Sequence, residues 1–299
     1  MERLKGNLML LLSALIWGTA FVAQRSGMEH IGPFTFNAIR CFIGGLVLLP
    51  VIFFMGAAKK RLEGDGRAKK GTRALVSGGV LCGAVLFVAS SLQQVALVHN
   101  AAGKTGFITS LYIVFVPVLH LFIGKRAPLN VWLSVVIAVV GLYFLCITDE
   151  LSVSGWDLLV LLSALAFAVH ILVIDHYSGR VDGVKMACIQ YFVCGALSLV
   201  PMLALETVRP CELIRVWFEL VYTGAFSCGI AFTLQIEAQK YTEPALASLL
   251  MSVEAVFALL AGLLLLGEKL TRREWLGCLI MFTAILLSQM PKKRLWSGD

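Results

Sequence analysis

Apolar residues run through this chain in ten blocks of about 20, each closed by a short segment carrying charge, glycine or proline. The blocks cover approximately 7–27, 33–55, 74–98, 104–124, 129–148, 155–175, 184–205, 214–239, 243–266 and 272–290. At 1.5 Å per residue, a helix of that length crosses a hydrocarbon core of roughly 30 Å. No stretch between blocks exceeds about 20 residues, so no soluble domain is expected beside them. The pattern predicts an all-α integral membrane protein with ten transmembrane helices.

Composition agrees. The chain is 59% apolar and 14% charged, against a soluble average of roughly 45–50% apolar and about 25% charged. The basic start "MERLKG" and the apolar run behind it resemble a signal peptide in outline. No A-x-A-like cleavage site follows, and "FVAQRSG" leads straight toward the next span, so this segment is expected to stay as the first helix. Of the eight cysteines, all but Cys211 fall inside proposed spans, with no C-x-x-C or Cys/His ligand spacing. They read as small packing residues, and neither disulfides, a metal site nor a cofactor is expected.

Ten spans place both termini on one side. Putting them in the cytoplasm assigns to that side Arg3, Lys5, "KKRLEGDGRAKKGTR", Lys125, Arg126, Arg180, Lys185, Lys240 and the tail "KKR". That is 17 of the 25 Lys and Arg residues inside and seven outside, with Arg40 left within a span, as the positive-inside rule requires. The loop "GEKLTRREW" runs against the rule, because three of its basic residues stay outside. Basic loops beside anionic lipid account for the net charge of +7 without nucleic acid. The expected location is the inner (plasma) membrane. The expected partners are the lipid bilayer and a small-molecule substrate, with the chain a monomer or homodimer.

The stretch "LLSAL" occurs at Leu11–Leu15 and again at Leu161–Leu165. Further on, "FIGKRAPLNVW" falls on "LLGEKLTRREW", which aligns Gly124 with Gly267 and Trp132 with Trp275. The same register sets Thr105 and Thr109 on Ser248 and Ser252, a hydroxyl pair at i, i+4 in both copies, and sets Leu111 on Glu254. The chain therefore reads as two copies, residues 1–150 and 151–299. Five spans per copy is an odd number, so the copies enter the membrane from opposite sides. Such inverted repeats supply two similar packings, one open to each face, with a site near the midplane between the halves.

Several stretches carry a family resemblance: "LIWGTAFVAQ" in the first span, "FNAIRCFIGG" in the second, "AAGKTGFITSLYIVFVPVL" in the fourth, and "EAQKYTEPALASLLMSVEAVFALLAGLLLLGEKLT" across the eighth and ninth. In this order and spacing, over nearly the whole length, they resemble the EamA family of the drug/metabolite transporter (DMT) superfamily. The resemblance implies a bacterial-type inner-membrane permease, usually an exporter of amino acids, related metabolites or toxic compounds.

Polar residues inside a span are costly and invite a functional reading. Glu254 lies ten residues beyond Pro244, about 15 Å along a helix and so near the midplane. A carboxyl group there can bind a cationic group or exchange a proton, and the resemblance marks the same position. Trp17, Phe21 and Gln24 form one stripe of the first helix, and Trp17, unlike the other tryptophans, stands away from the span ends where the aromatic belt lies. Thr105, Thr109 and Tyr112 make a polar stripe in the fourth span, echoed by Ser248 and Ser252 in the ninth. Gln93, Gln94 and Gln235 add neutral donors and acceptors. The residues expected to bind substrate are thus Trp17, Gln93, Thr109, Tyr112, Gln235, Ser252 and Glu254, with Glu254 and His170 as proton-coupling candidates. Arg40 either anchors a carboxylate or braces the bundle, and bracing is the favoured reading.

No G-x-S-x-G elbow, H-E-x-x-H or clustered carboxylates for a metal–diphosphate appear, so no enzyme and no catalytic residue is expected. The expected function is a secondary transporter, working as an exporter of amino acids or related amphipathic compounds. Two alternatives stay open: efflux of toxic cations by proton antiport, and a membrane receptor or scaffold.

Overall fold

The computed structural model describes residues 2–63, 72–100, 102–124, 127–146, 154–266 and 271–289. Lys125, Arg126, Lys269, residues 64–71 and the basic tail, which bear on the expected orientation, lie outside them. The described residues are helical, joined by short turns, with no strand among them. The first three helices are long and unbroken: α1 (Glu2–Met28), α2 (Pro33–Glu63) and α3 (Thr72–His99). Proline suits the first position of α2, where its missing N–H has no partner to lose. Then come α4 (Ala102–Ser110), α5 (Tyr112–Phe122), α6 (Leu129–Cys146), α7 (Gly155–Ser178) and α8 (Gly183–Leu205). A capping box starts α7: the Asp157 N–H donates to Ser154 Oγ at 3.3 Å, and the Ser154 N–H donates to Asp157 Oδ2 at 2.7 Å.

The remainder is more interrupted. Short helices α9 (Pro210–Arg215) and α10 (Trp217–Tyr222) lead into a π-helical run, Thr223–Phe232, and on to α11 (Thr233–Ala238). The chain then forms α12 (Pro244–Met251), α13 (Glu254–Leu266) and α14 (Arg272–Gln289). Eight helical stretches among the described residues are long and apolar enough to cross a membrane. The fifth expected span is a shorter apolar helix, Leu129–Phe144. The tenth coincides with α14, whose first turn carries Arg272, Arg273 and Glu274.

Two expected continuous spans are broken, at matching places. The fourth parts at Leu111, between α4 and α5, and the ninth parts at Ser252 and Val253, between α12 and α13. At each break the backbone tightens from i−4 to i−3 bonding: the Leu111 N–H donates to the Ile108 carbonyl at 3.2 Å, and the Ala255 N–H to that of Ser252 at 3.3 Å. Serine hydroxyls help loosen α12, since Ser248 donates to the Ala245 carbonyl and Ser252 to that of Leu249, a back-bonding that bends helices.

Packing exchanges the two halves. Helix α3 lies along α7 and α8, while the π-helical run, its counterpart, lies along α1 and α2. Helix α13 packs on α1 as α5 packs on α7, and the pairs α2 with α8 and α6 with α14 join like to like. Individual bonds follow the same exchange. In "LLSAL", Ser13 Oγ donates to the Ala231 carbonyl at 2.9 Å, and its twin Ser163 Oγ donates to the Ala89 carbonyl at 2.7 Å. Six residues earlier in each copy, Asn7 Oδ1 accepts from Thr242 Oγ1 at 3.4 Å and Asp157 Oδ1 accepts from Asn100 Nδ2 at 2.9 Å. Close approach depends on glycine. A Cβ on Gly18 would stand 2.6 Å from the Glu254 carbonyl oxygen, and one on Gly83 would stand 2.6 Å from that of Gln190.

The outside is apolar, and the interior combines a hydrophobic core with many buried polar side chains. Phe53, Phe54, Phe122, Leu203 and Leu264 are strongly exposed, while Asn37, Gln94, Gln190, Ser198 and Ser248 are fully buried. The exposed apolar surface departs from the soluble pattern and suits a bundle surrounded by lipid, with side-chain hydrogen bonds between its helices.

Candidate functional site

A cavity of about 70 Å³ lies between the two halves. Its walls come from α1, α2 and α3, the α4/α5 break, α7, the π-helical run with α11, and the α12/α13 break. Discontinuous helices at such a position free backbone groups and bring helix ends toward a ligand.

Of the eight residues expected to bind substrate or couple a proton, seven line this cavity: Trp17, Gln93, Thr109, Tyr112, His170, Gln235 and Glu254. Ser252 does not. Its hydroxyl is turned back on its own helix, donating to the Leu249 carbonyl at 2.8 Å. Thr105, expected on the same stripe as Thr109, is buried away from the cavity wall.

Glu254 opens α13, and Tyr112 opens α5. Counted from the paired carbonyls of Ala89 and Ala231, these two are the corresponding residues of the two copies, which shifts the equivalence by one from Leu111. They meet: the Tyr112 hydroxyl donates to Glu254 Oε1 at 3.2 Å. Glu254 is 6% exposed and has no ion pair among the described residues. Gln93 and Gln235 are likewise a pair by the same count. Gln93 Nε2 donates to Thr109 Oγ1 at 3.1 Å, and Gln235 Nε2 donates to Gln239 Oε1 at 3.2 Å. Gln235 Oε1, buried on the wall, has no partner among the described residues.

Trp17 forms part of an aromatic wall. Its Nε1–H donates to the Ser227 carbonyl at 3.3 Å, and its ring meets Phe232 edge-on with centroids 4.6 Å apart. The Ser227 carbonyl belongs to the π-helical run, which also accepts from Ser13 at Ala231 and from Tyr191 at Cys228. Three side chains thus hold a stretch of backbone that an α-helix would not present in this form. His170 Nε2 lies 3.2 Å from Gln190 Oε1, with its ring edge-on to Phe232.

The wall also holds residues outside that set: Arg40, read mainly as a brace, Phe21 and Gln24 of the Trp17 stripe, and Ser90, which sequence reasoning passed over. Arg40 Nε and Nη2 both donate to Asn37 Oδ1, at 3.0 and 2.9 Å, and Nη1 donates to Gln24 Oε1 at 2.6 Å. Asn37 Nδ2 in turn donates to Ser90 Oγ at 3.0 Å and Ser198 Oγ at 2.9 Å, and Gln24 also accepts from Gln94. The signal was present in "ASSLQQ", a polar run inside an otherwise apolar span.

Comparison with known proteins places this arrangement. The model of the EamA-like transporter family matches twice, over residues 4–147 and 154–290. An uncharacterized transporter of Archaeoglobus fulgidus is 31% identical over 287 residues, which span 96% of this chain and 86% of its own. The uncharacterized inner membrane transporter YedA of Escherichia coli is 23% identical over 93% of this chain and 88% of its own. A crystal structure with 18% sequence identity superposes with a TM-score of 0.75, covering 95% of this chain and 96% of that one, so the fold is shared. With both halves matched and relatives aligned along nearly its full length, this chain belongs to the EamA-like transporter family and is a multi-pass membrane transporter.

Proposed function

We propose that the chain is a secondary transporter that exports small metabolites, such as amino acids or related amphipathic compounds, by alternating access between two inverted five-helix repeats, residues 1–150 and 151–299. The observation that carries this reading is the cavity between the halves. Glu254, Tyr112, Gln93, Thr109 and Gln235 offer it charge and hydrogen bonds, and Trp17 with Phe232 offers an apolar wall. A polar pocket inside an apolar bundle is where an amphipathic solute finds partners that the bilayer denies it. The exchanged contacts of the two halves, and the break at matching places in each, supply the two-fold design that alternating access uses. Trp17, Gln93, Thr109, Tyr112, Gln235 and Glu254 are assigned to substrate, and Glu254 with His170 to proton movement.

The aromatic wall beside an acid also favours a second reading, efflux of lipophilic cations by proton antiport. Cells overexpressing the protein separate the two. Protection against amino acids and their toxic analogues is expected, and it should disappear when Glu254→Gln is expressed at the same level. Protection against cations alone would select the second reading, and tolerance no better than the empty vector across both sets would count against export.

The proposed orientation has ten crossings, with both termini cytoplasmic. Single cysteines at Ser154 and Thr271, in a cysteine-free background, are then expected to react with an impermeant thiol reagent added to whole cells, and one at Gly179 is not. Labelling at Gly179 without labelling at Thr271 would overturn it.

A further inference from the structure

We propose that Arg40 is the carboxylate subsite of this cavity, so that the molecule it accepts is a zwitterion of the α-amino-acid kind, with its carboxylate at Arg40 and its ammonium toward Glu254. This rests on the reading of the cavity as the transport site. Arg40 is 7% exposed and has no carboxylate partner among the described residues. A buried guanidinium without a counter-ion is costly, by several kcal/mol in general, and is retained where an anion completes it.

The donor arithmetic agrees. A guanidinium has five N–H groups. One on Nε, one on Nη1 and one on Nη2 are used, all on neutral amide oxygens of Asn37 and Gln24. One N–H remains on each terminal nitrogen, the number a carboxylate takes. The amides that hold the guanidinium are themselves held, Asn37 by Ser90 and Ser198, and Gln24 by Gln94. Supports of this kind keep a binding group in place before its ligand arrives. A residue serving only to brace the bundle would be expected to meet a carboxylate of the protein itself. Here the carboxyl group that shares the cavity, Glu254, bonds Tyr112, and Arg40 is met by the neutral Asn37 and Gln24 and by the Phe36 ring, whose centroid lies 5.9 Å from Cζ.

The test changes only the carboxylate of the probe. Purified full-length protein is challenged with leucine, leucinamide and isoamylamine, and with the matching phenylalanine series, by thermal stabilisation in detergent and by counterflow in proteoliposomes. The acids are expected to act at concentrations at least about tenfold below the amides and amines, a margin of about 1.4 kcal/mol. Asn37→Asp then offers Arg40 an internal carboxylate in place of the amide. Because the introduced carboxylate cannot donate to Ser90 and Ser198 as the amide does, the Asn37→Asp protein is first checked for a cooperative melt, and it is expected to bring acids and amides within about twofold of each other. Wild-type discrimination retained in Asn37→Asp would make Arg40 a brace and overturn the subsite. Amines equal to or better than acids on the wild-type protein would also overturn it, while leaving transport through the cavity standing. Absence of saturable counterflow for every compound would remove the transport reading and the subsite together.

Discussion

Glu254→Gln is expected to lower transport at least about tenfold, equivalent to roughly 1.4 kcal/mol, while leaving the fold intact. The amide keeps the size of the acid and an oxygen that can accept from the Tyr112 hydroxyl, now 3.2 Å from Glu254 Oε1. What it removes is the capacity to carry charge or a proton. If the carboxyl group binds the substrate's ammonium or exchanges a proton, that loss acts on the cycle directly. If it merely packs α13 against α5, a neutral amide serves as well. The measurement pairs counterflow at several pH values between about 5.5 and 8 with a melting curve in detergent. Leu111→Ala, at the α4/α5 break, is the control, and should cost stability more than activity. A Glu254→Gln protein that is well folded and transports like the wild type at every pH would make the glutamate structural.

Much of the fold was legible because lipid imposes a coarse rule, runs of about 20 apolar residues. The rule is blind to how a span is built inside. It does not register that the fourth and ninth spans break, since each break depends on i−3 bonding, joined in the ninth by serine back-bonds, rather than on any proline or glycine at the spot. The tenth expected span coincides with α14, although Arg272, Arg273 and Glu274 stand in its first turn.

Ser252 enters the expected site because the repeat register sets it on Thr109. In the equivalence that pairs Tyr112 with Glu254, Thr109 answers Met251, which lines the cavity, while Ser248 and Ser252 bond back to the Ala245 and Leu249 carbonyls. Glu254, just past the break, does face the cavity. The repeat alignment slips by one near the midplane. Gly124, Gly267 and the paired tryptophans set the register near the span ends, and the two copies differ by a residue between there and the midplane, so Tyr112 and not Leu111 answers Glu254. Of the partners of Arg40, Asn37 stands three residues before it on α2 and is legible in the sequence, whereas Gln24 lies on α1 and is brought to it only by the packing of the two helices.

If the two halves take turns in exposing one cavity, locking either end of the bundle with a cross-link must stop transport. Thr242 with Asn7 ties the turn after α11 to α1, and Asn100 with Asp157 ties the end of α3 to α7. These are matching contacts of the two copies, and the proposed orientation puts them at opposite faces of the membrane. Alternating access requires each to part while the other holds. Each pair is replaced by cysteines and joined by a short cleavable reagent, and counterflow of labelled leucine is followed in proteoliposomes. Either lock is expected to bring exchange down to the level of empty vesicles, and cleavage of the reagent to restore it. Flux undiminished through either locked form would contradict alternating access and describe a pore.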